Sequence, residues 1–301
     1  MREILLALVS SIIFAATNTF AADIYLWNPD NPDDMGPDER WTPGELIIEG
    51  EIVPGDYEKM ILVIRESFRL PHTFSISSLG GDVATAMEMG RFFRASLMHG
   101  EVTKNAECIS ACFLIIVGSP ARFVDAPIEL HRAYYSAEYF AALSPVEAEQ
   151  QYQELDMFVR SYLYEMNVPE EIIARMMATK STETIPLRPD EFYELIGYLS
   201  PAFEEWRIAR CGDYTKKEKL DEQAVTSLRF ANNVTSTEYG GPTEIDKEIL
   251  ADRAEEIAYA RTLPEEYRIA VRKKIIAVSS CRSRAVDEHR KKVFAEIKNE
   301  K

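Results

Sequence analysis

Ser110 sits between two thiols in Glu107-Cys108-Ile109-Ser110-Ala111-Cys112, at the head of the apolar run Phe113-Leu114-Ile115-Ile116-Val117. Upstream, Ser77-Ser78-Leu79-Gly80-Gly81-Asp82-Val83 reads as a diglycine turn. Downstream, His131 ends the apolar run Ile128-Glu129-Leu130, twenty-one positions after Ser110. A serine opening a buried helix, a Gly-Gly loop offering bare backbone N–H groups and a histidine arriving on a strand are three parts of an acyl-transfer site. A hydroxyl attacks a carbonyl only when a base takes its proton, and an imidazole titrates in the range where that is useful. Each residue alone has a plain structural use: Ser110 as a small packing residue, His131 as a satisfied core histidine, the glycines as a turn. Their order and spacing raise the chemical reading.

The elements that must position these groups follow from periodicity. Leu46 to Val53 alternates as a strand ending at Pro54-Gly55, and Asp56 caps a helix through about Phe68 with Tyr57, Met60, Ile61 and Ile64 on one face. Thr73 to Ser77 is a second strand, and Asp82 caps a helix whose Val83, Met87, Gly90 and Phe93 face inward. Short strands follow at Glu101–Val102, Arg122–Val124 and Ile128–His131, around the helix that Ser110 opens. Alternating strand and helix predicts an α/β fold with a largely parallel sheet. From Ser144 the pattern is helical, with helices over Pro145–Met166, Pro169–Ala178 and Pro189–Ile196. Beyond Ala202 a charged helical region spans Phe203–Arg210, Lys216–Ala231, Ile245–Arg261 and Glu265–Lys298. Asp23 to Pro43, rich in Asp, Pro and Asn, reads as an irregular lead-in. The expected organisation is a signal peptide over 1–21, the lead-in over 22–45, the site-bearing domain over 46–201 and a helical region over 202–301.

With 301 residues, 46% of them hydrophobic and 28% charged, the chain has material for a large core. Its net charge of −16 argues against nucleic acid or an anionic membrane surface as partner. Arg2, an apolar run from Ile4 to Phe14 and small residues to Ala22 form a secretory signal pattern, with Thr19 and Ala21 placing cleavage after Ala21. That run is too short to span a bilayer, and no later window approaches a span, so the mature chain is expected to be periplasmic or secreted. In an oxidising compartment four cysteines favour disulfides. Three pairings exist, of which Cys108–Cys112 and Cys211–Cys281 are favoured, the first because one helical turn nearly bridges it. A structural metal is disfavoured with only four histidines and none close to the thiols. No cofactor is expected.

The region from about Leu46 to Leu199 resembles the Clp-protease-like branch of the ClpP/crotonase superfamily, and within it the exported bacterial members. Ile76-Ser77-Ser78-Leu79-Gly80-Gly81-Asp82-Val83, Cys108-Ile109-Ser110-Ala111-Cys112 and Leu130-His131-Arg132 carry the resemblance. It implies a β-β-α superhelix with an appended C-terminal helical region, Ser110 as nucleophile, His131 as base, and backbone N–H groups from Gly80, Gly81 and Ala111 at the oxyanion. It also implies a peptide or protein substrate held as an added strand, and a homo-oligomer. The family's aspartate, counted back from Gly197, falls on Ser181, so the third member is open among Ser181, Glu183 and Asp190. A Ser–Lys pair through Lys104 or Lys180 is a further option that no spacing selects. Two functions compete: an exported serine peptidase-like hydrolase, and a catalytically silent peptide-binding or scaffold protein of the periplasm. Acyl-CoA chemistry on the same scaffold is set aside, because coenzyme A is a cytoplasmic cofactor.

Overall fold

A computed structural model of the chain describes residues 21–27, 44–67, 70–235 and 241–299. Five strands make the main sheet: β1 (Asp23–Trp27), β2 (Glu45–Glu49), β3 (Thr73–Ser77), β4 (His99–Val102) and β6 (Ala121–Val124), in the order β1-β2-β3-β4-β6. From β2 onward all pairings are parallel, and β1 closes the edge antiparallel to β2. Parallel strands are covered on both faces, which is why Leu46, Ile47 and Ile48 are all buried rather than alternating. The lead-in read as irregular therefore begins with a strand. Ile24 is buried and Leu26 follows at period two, and the Asp-, Pro- and Asn-rich stretch that suggested a loop begins only at Asn28.

Three helices fill the crossovers: α1 (Asp56–Glu66), α2 (Val83–Ser96) and α3 (Ala111–Gly118). The Asp82 carboxylate accepts from the Thr85 N–H at the start of α2. All eight residues of α3 are buried, as expected for a helix with no polar face. Its approach to α2 runs through glycines: a Cβ on Gly118 would lie 2.4 Å from the Gly90 Cα, so any side chain there would push the helices apart. The long helix α5 (Pro145–Glu165) starts with a Ser144–Glu147 capping box and sends the buried Tyr162 hydroxyl to the Leu114 carbonyl.

A second, three-stranded sheet carries the site. It consists of β5 (Cys108–Ile109), β7 (Ile128–Leu130) and β8 (Ile185–Leu187), with β5 parallel to β7 and β7 antiparallel to β8. A single bridge, Ser78 to Cys108, ties it to the segment after β3, and another, Ile52 to Gly81, joins the segments after β2 and β3. Neither β5 nor β8 has enough residues for a readable period. Along the chain α4 (Ala137–Ala141) and α6 (Glu170–Ala178) fall between β7 and β8, and α7 (Pro189–Leu195) follows β8.

The chain divides into two compact units, one of the described residues to Arg94 with Met98–Tyr198, the other of Ala95–Leu97 with the described residues from Leu199 onward. The second is helical: α8 (Pro201–Cys211), α9 (Lys216–Val234), α10 (Glu244–Asp252), α11 (Ala254–Thr262) and α12 (Glu265–Asn299). Ala224, Leu228 and Ala231 of α9 pack on Ile257 and Ala260 of α11, and the Cys211–Cys281 disulfide joins α8 to α12. The single helix expected over Ile245–Arg261 is two, broken at Arg253, whose ψ of 12° leaves the helical range. Of the expected signal segment, residues 1–20 lie outside the described residues. Ala21 is described and bridges to Glu51. No helix among the described residues is long and apolar enough to cross a membrane.

Candidate active site

Ser110 stands at the junction of β5 and α3, as the N-cap of the helix, with φ 55° and ψ −114°. For a residue with a Cβ this is sparsely populated backbone, and holding it costs about 1–3 kcal/mol. A tight strand-to-helix turn of this kind lifts a side chain out of the backbone's own hydrogen bonding. The Ser110 hydroxyl makes no cap bond and, among the described residues, no other hydrogen bond. Ser110 is half-buried.

Its backbone is held firmly. The Ser110 N–H donates to the Glu129 carbonyl at 2.9 Å, the Ile109 N–H to the Ser78 carbonyl at 3.0 Å, and the Phe113 N–H to the Ser110 carbonyl at 3.0 Å. The Cys108–Cys112 disulfide, with Cα atoms 5.3 Å apart, closes the turn from β5 to the first turn of α3. Because Ile109 pairs with Glu129 in the β5–β7 ladder, Ser110 and His131 leave adjacent strand ends within two residues of that pair.

His131 is buried. Its Nδ1 lies 2.9 Å from the carbonyl oxygen of Arg132. A carbonyl only accepts, so this contact places the proton on Nδ1 and leaves Nε2 as the lone-pair nitrogen, the tautomer a base requires. The Arg132 N–H in turn donates to the Thr179 carbonyl at 3.2 Å, which draws the segment after α6 up beside the histidine. Among the described residues His131 makes no hydrogen bond to Ser110 or to any carboxylate. Of the three proposed third members, Glu183 is paired with Lys180 at 3.0 Å, Asp190 is exposed in the first turn of α7 beside Arg188 at 3.4 Å, and Ser181 sits on the turn between α6 and β8 without a bond to the imidazole.

Gly80 and Gly81 have φ of 97° and 134°, a region closed to most side chains. A Cβ on Gly80 would sit 2.8 Å from the Ser110 Cβ and 3.0 Å from the Ala111 nitrogen, so the diglycine turn lies directly against the serine. A Cβ on Gly81 would strike the Ile52 carbonyl at 2.1 Å. The Gly80 N–H, one of the three expected oxyanion donors, is engaged: it donates to Ser78 Oγ at 3.1 Å. The Gly81 and Ala111 N–H groups have no hydrogen-bond partner among the described residues.

The electrostatics of α3 favour negative charge at Ser110. Its N-terminal end points there, and its last carbonyls are covered by cations: Arg94 donates to Gly118 at 2.7 Å and Val117 at 2.9 Å, Arg122 to Ser119 at 2.9 Å. Burial, helped by the neighbouring Arg94 charge, pushes the Arg122 guanidinium down to about 9. A cleft lined by Glu49, Ser77, Thr103 and Asn105 opens elsewhere in the first unit without Ser110 or His131 on its wall. No group of three or more His, Cys, Asp or Glu side chains among the described residues could hold a metal.

No protein-family model and no curated protein matches the chain. Among solved structures it is similar to a ClpP1 mutant from Listeria monocytogenes, at 18% identity and a TM-score of 0.36, over 52% of this chain and 88% of that one. It is also similar to a membrane-bound stomatin-specific protease mutant in complex with a substrate peptide, at 14% identity and 0.36, over 51% and 71%. A third is an enoyl-CoA hydratase from Bacillus anthracis, at 11% and 0.29, over 73% and 90%. No residue's role is carried over to this chain from these likenesses.

Sequence reasoning passed over Ser78 and the Arg132 carbonyl. A serine two residues before a glycine has the spacing of a side-chain turn, so Ser78 had a signal. A backbone carbonyl that orients an imidazole has none.

Proposed function

We propose that the protein is an exported serine hydrolase acting on peptide bonds, with Ser110 as nucleophile, His131 as general base, and the Gly81 and Ala111 N–H groups as oxyanion donors. The observation that carries this reading is the conformation of Ser110. A strained, helix-opening serine whose hydroxyl makes no hydrogen bond among the described residues is costly to keep for packing, and strain of this kind collects where geometry is used. In the proposed cycle Oγ attacks the carbonyl carbon as its proton passes to His131 Nε2. The carbonyl oxygen, now negative, is met by the two amides and by the positive end of α3. The imidazolium then returns the proton to the leaving amine, and water repeats the sequence on the acyl-serine. Leu79, exposed beside Gly80, offers an apolar contact to the bound chain, which would lie as an added strand. Two disulfides suit an oxidising compartment outside the cytoplasm.

The silent-scaffold reading has one observation in its favour: no carboxylate among the described residues bonds His131, and losing the orienting carboxylate of a triad costs about four orders of magnitude in turnover. Fluorogenic peptide pools incubated with the mature protein and its Ser110→Ala variant separate the two. Cleavage by the first and none by the second supports the hydrolase; equal traces in both support the scaffold.

A further inference from the structure

We propose that the Cys108–Cys112 cystine is the positioning group of the nucleophile, holding Ser110 and the Ala111 N–H in the geometry of attack. This rests on the reading of Ser110 as nucleophile. The bond spans the residue with the disfavoured backbone, from the first position of β5 to the first turn of α3. Among the described residues no side-chain hydrogen bond caps the start of α3, so the cystine is the side-chain link that ties that turn to β5. Were the whole turn from Cys108 to Cys112 extended, the two Cα atoms would lie about 13 Å apart. A Cα separation of 5.3 Å excludes such an opening and limits how far the backbone at Ser110 can relax.

The surroundings agree with a brace built for geometry. Both half-cystines are buried, so the bond forms part of the elbow's interior. Cys108 also bridges to Ser78, whose hydroxyl takes the Gly80 N–H. The cystine therefore fixes the serine and the diglycine turn to one frame: pulling Cys112 away would move the Ala111 nitrogen, and loosening Cys108 would move Gly80. Cys108 and Cys112 touch neither substrate nor reacting atoms. They act through Ser110.

The test is the kinetics of fluorophosphonate labelling of the full mature chain, with the maximal inactivation rate and the half-saturating probe concentration measured separately. Cys108→Ala, Cys112→Ala and the double variant should each lose roughly ten- to a hundred-fold in maximal rate, the scale of an ångström-sized misplacement, with half-saturation within about twofold. The single variants should fall as far as the double, because either breaks the same bond. Smaller, additive losses in the singles would point to packing and overturn the inference. So would a double variant labelled at the wild-type rate, which leaves the nucleophile reading standing. A wild-type protein that never labels overturns both. Should the double variant not melt cooperatively, native reduction of a Cys211→Ala/Cys281→Ala protein replaces it. There the rate should fall as the Cys108 and Cys112 thiols appear by mass and recover on reoxidation. A rate unchanged with both thiols free would overturn the inference.

Discussion

His131 Nδ1 and the carbonyl oxygen of Arg132 lie 2.9 Å apart, so the imidazole is oriented by the backbone of the residue that follows it. A neutral carbonyl fixes the tautomer but stabilises an imidazolium less than a carboxylate does. The reaction proposed for it should accordingly be slow but dependent on the ring. His131→Gln should lower the rate of serine labelling by about 10²- to 10⁴-fold, the usual share of a general base. Thermal melting of the same variant should stay cooperative. An undiminished rate would remove His131 from the mechanism.

Gly80 separates shape from chemistry. Its missing Cβ is what lets Ser110 and Ala111 approach. Gly80→Ala must move the elbow or the turn, and should abolish labelling. Gly81→Ala drives a methyl into the Ile52 backbone and should lower the melting temperature as well. Melting curves and labelling of the two variants, run side by side, check the distinction.

The two disulfides differ in access. Cys108 and Cys112 are buried, while Cys211 and Cys281 are half-buried. Mild native reduction followed by alkylation should open Cys211–Cys281 first, read by peptide mass. Cys211→Ala/Cys281→Ala removes a closure across 70 residues and should cost about 2–4 kcal/mol of stability in denaturant titration.

Much of this architecture was legible in the sequence. Apart from β5 and α4, the strands and helices from Leu46 to Ala178 follow from unbroken runs and clean caps, such as Asp82 on α2 and Ser144 on α5. The cysteine pairing followed from spacing and the expected compartment. What was hidden is backbone business. β5 has two residues and no period, Gly80 spends its N–H on Ser78, and the partner of His131 is a carbonyl that no side chain announces. The break at Arg253 was equally invisible, since the apolar positions continue through it.

In the helical unit, Asp221 is a buried carboxylate held by Tyr267 at 2.5 Å, Lys217 at 2.7 Å and Tyr259 at 2.8 Å. Burial pushes its carboxyl up, but those three donors outweigh burial and hold it below its ordinary value of 3.8. A carboxyl depressed by folding adds stability that is fully present above the unfolded value and is lost as pH falls through the folded one. Asp221→Asn should therefore lower the melting temperature by about 4–8 °C at neutral pH. That deficit should shrink as pH drops below 3.8, where the wild-type carboxyl also becomes neutral. A deficit independent of pH would mean the charge is not what the three donors hold.

The nucleophile itself is tested most directly by mapping a fluorophosphonate adduct on the mature protein by peptide mass spectrometry. The account predicts one adduct, on the Ser110 hydroxyl, absent from Ser110→Ala and strongly slowed in His131→Gln. An adduct on another residue, or none on a correctly folded and disulfide-bonded protein, would contradict it.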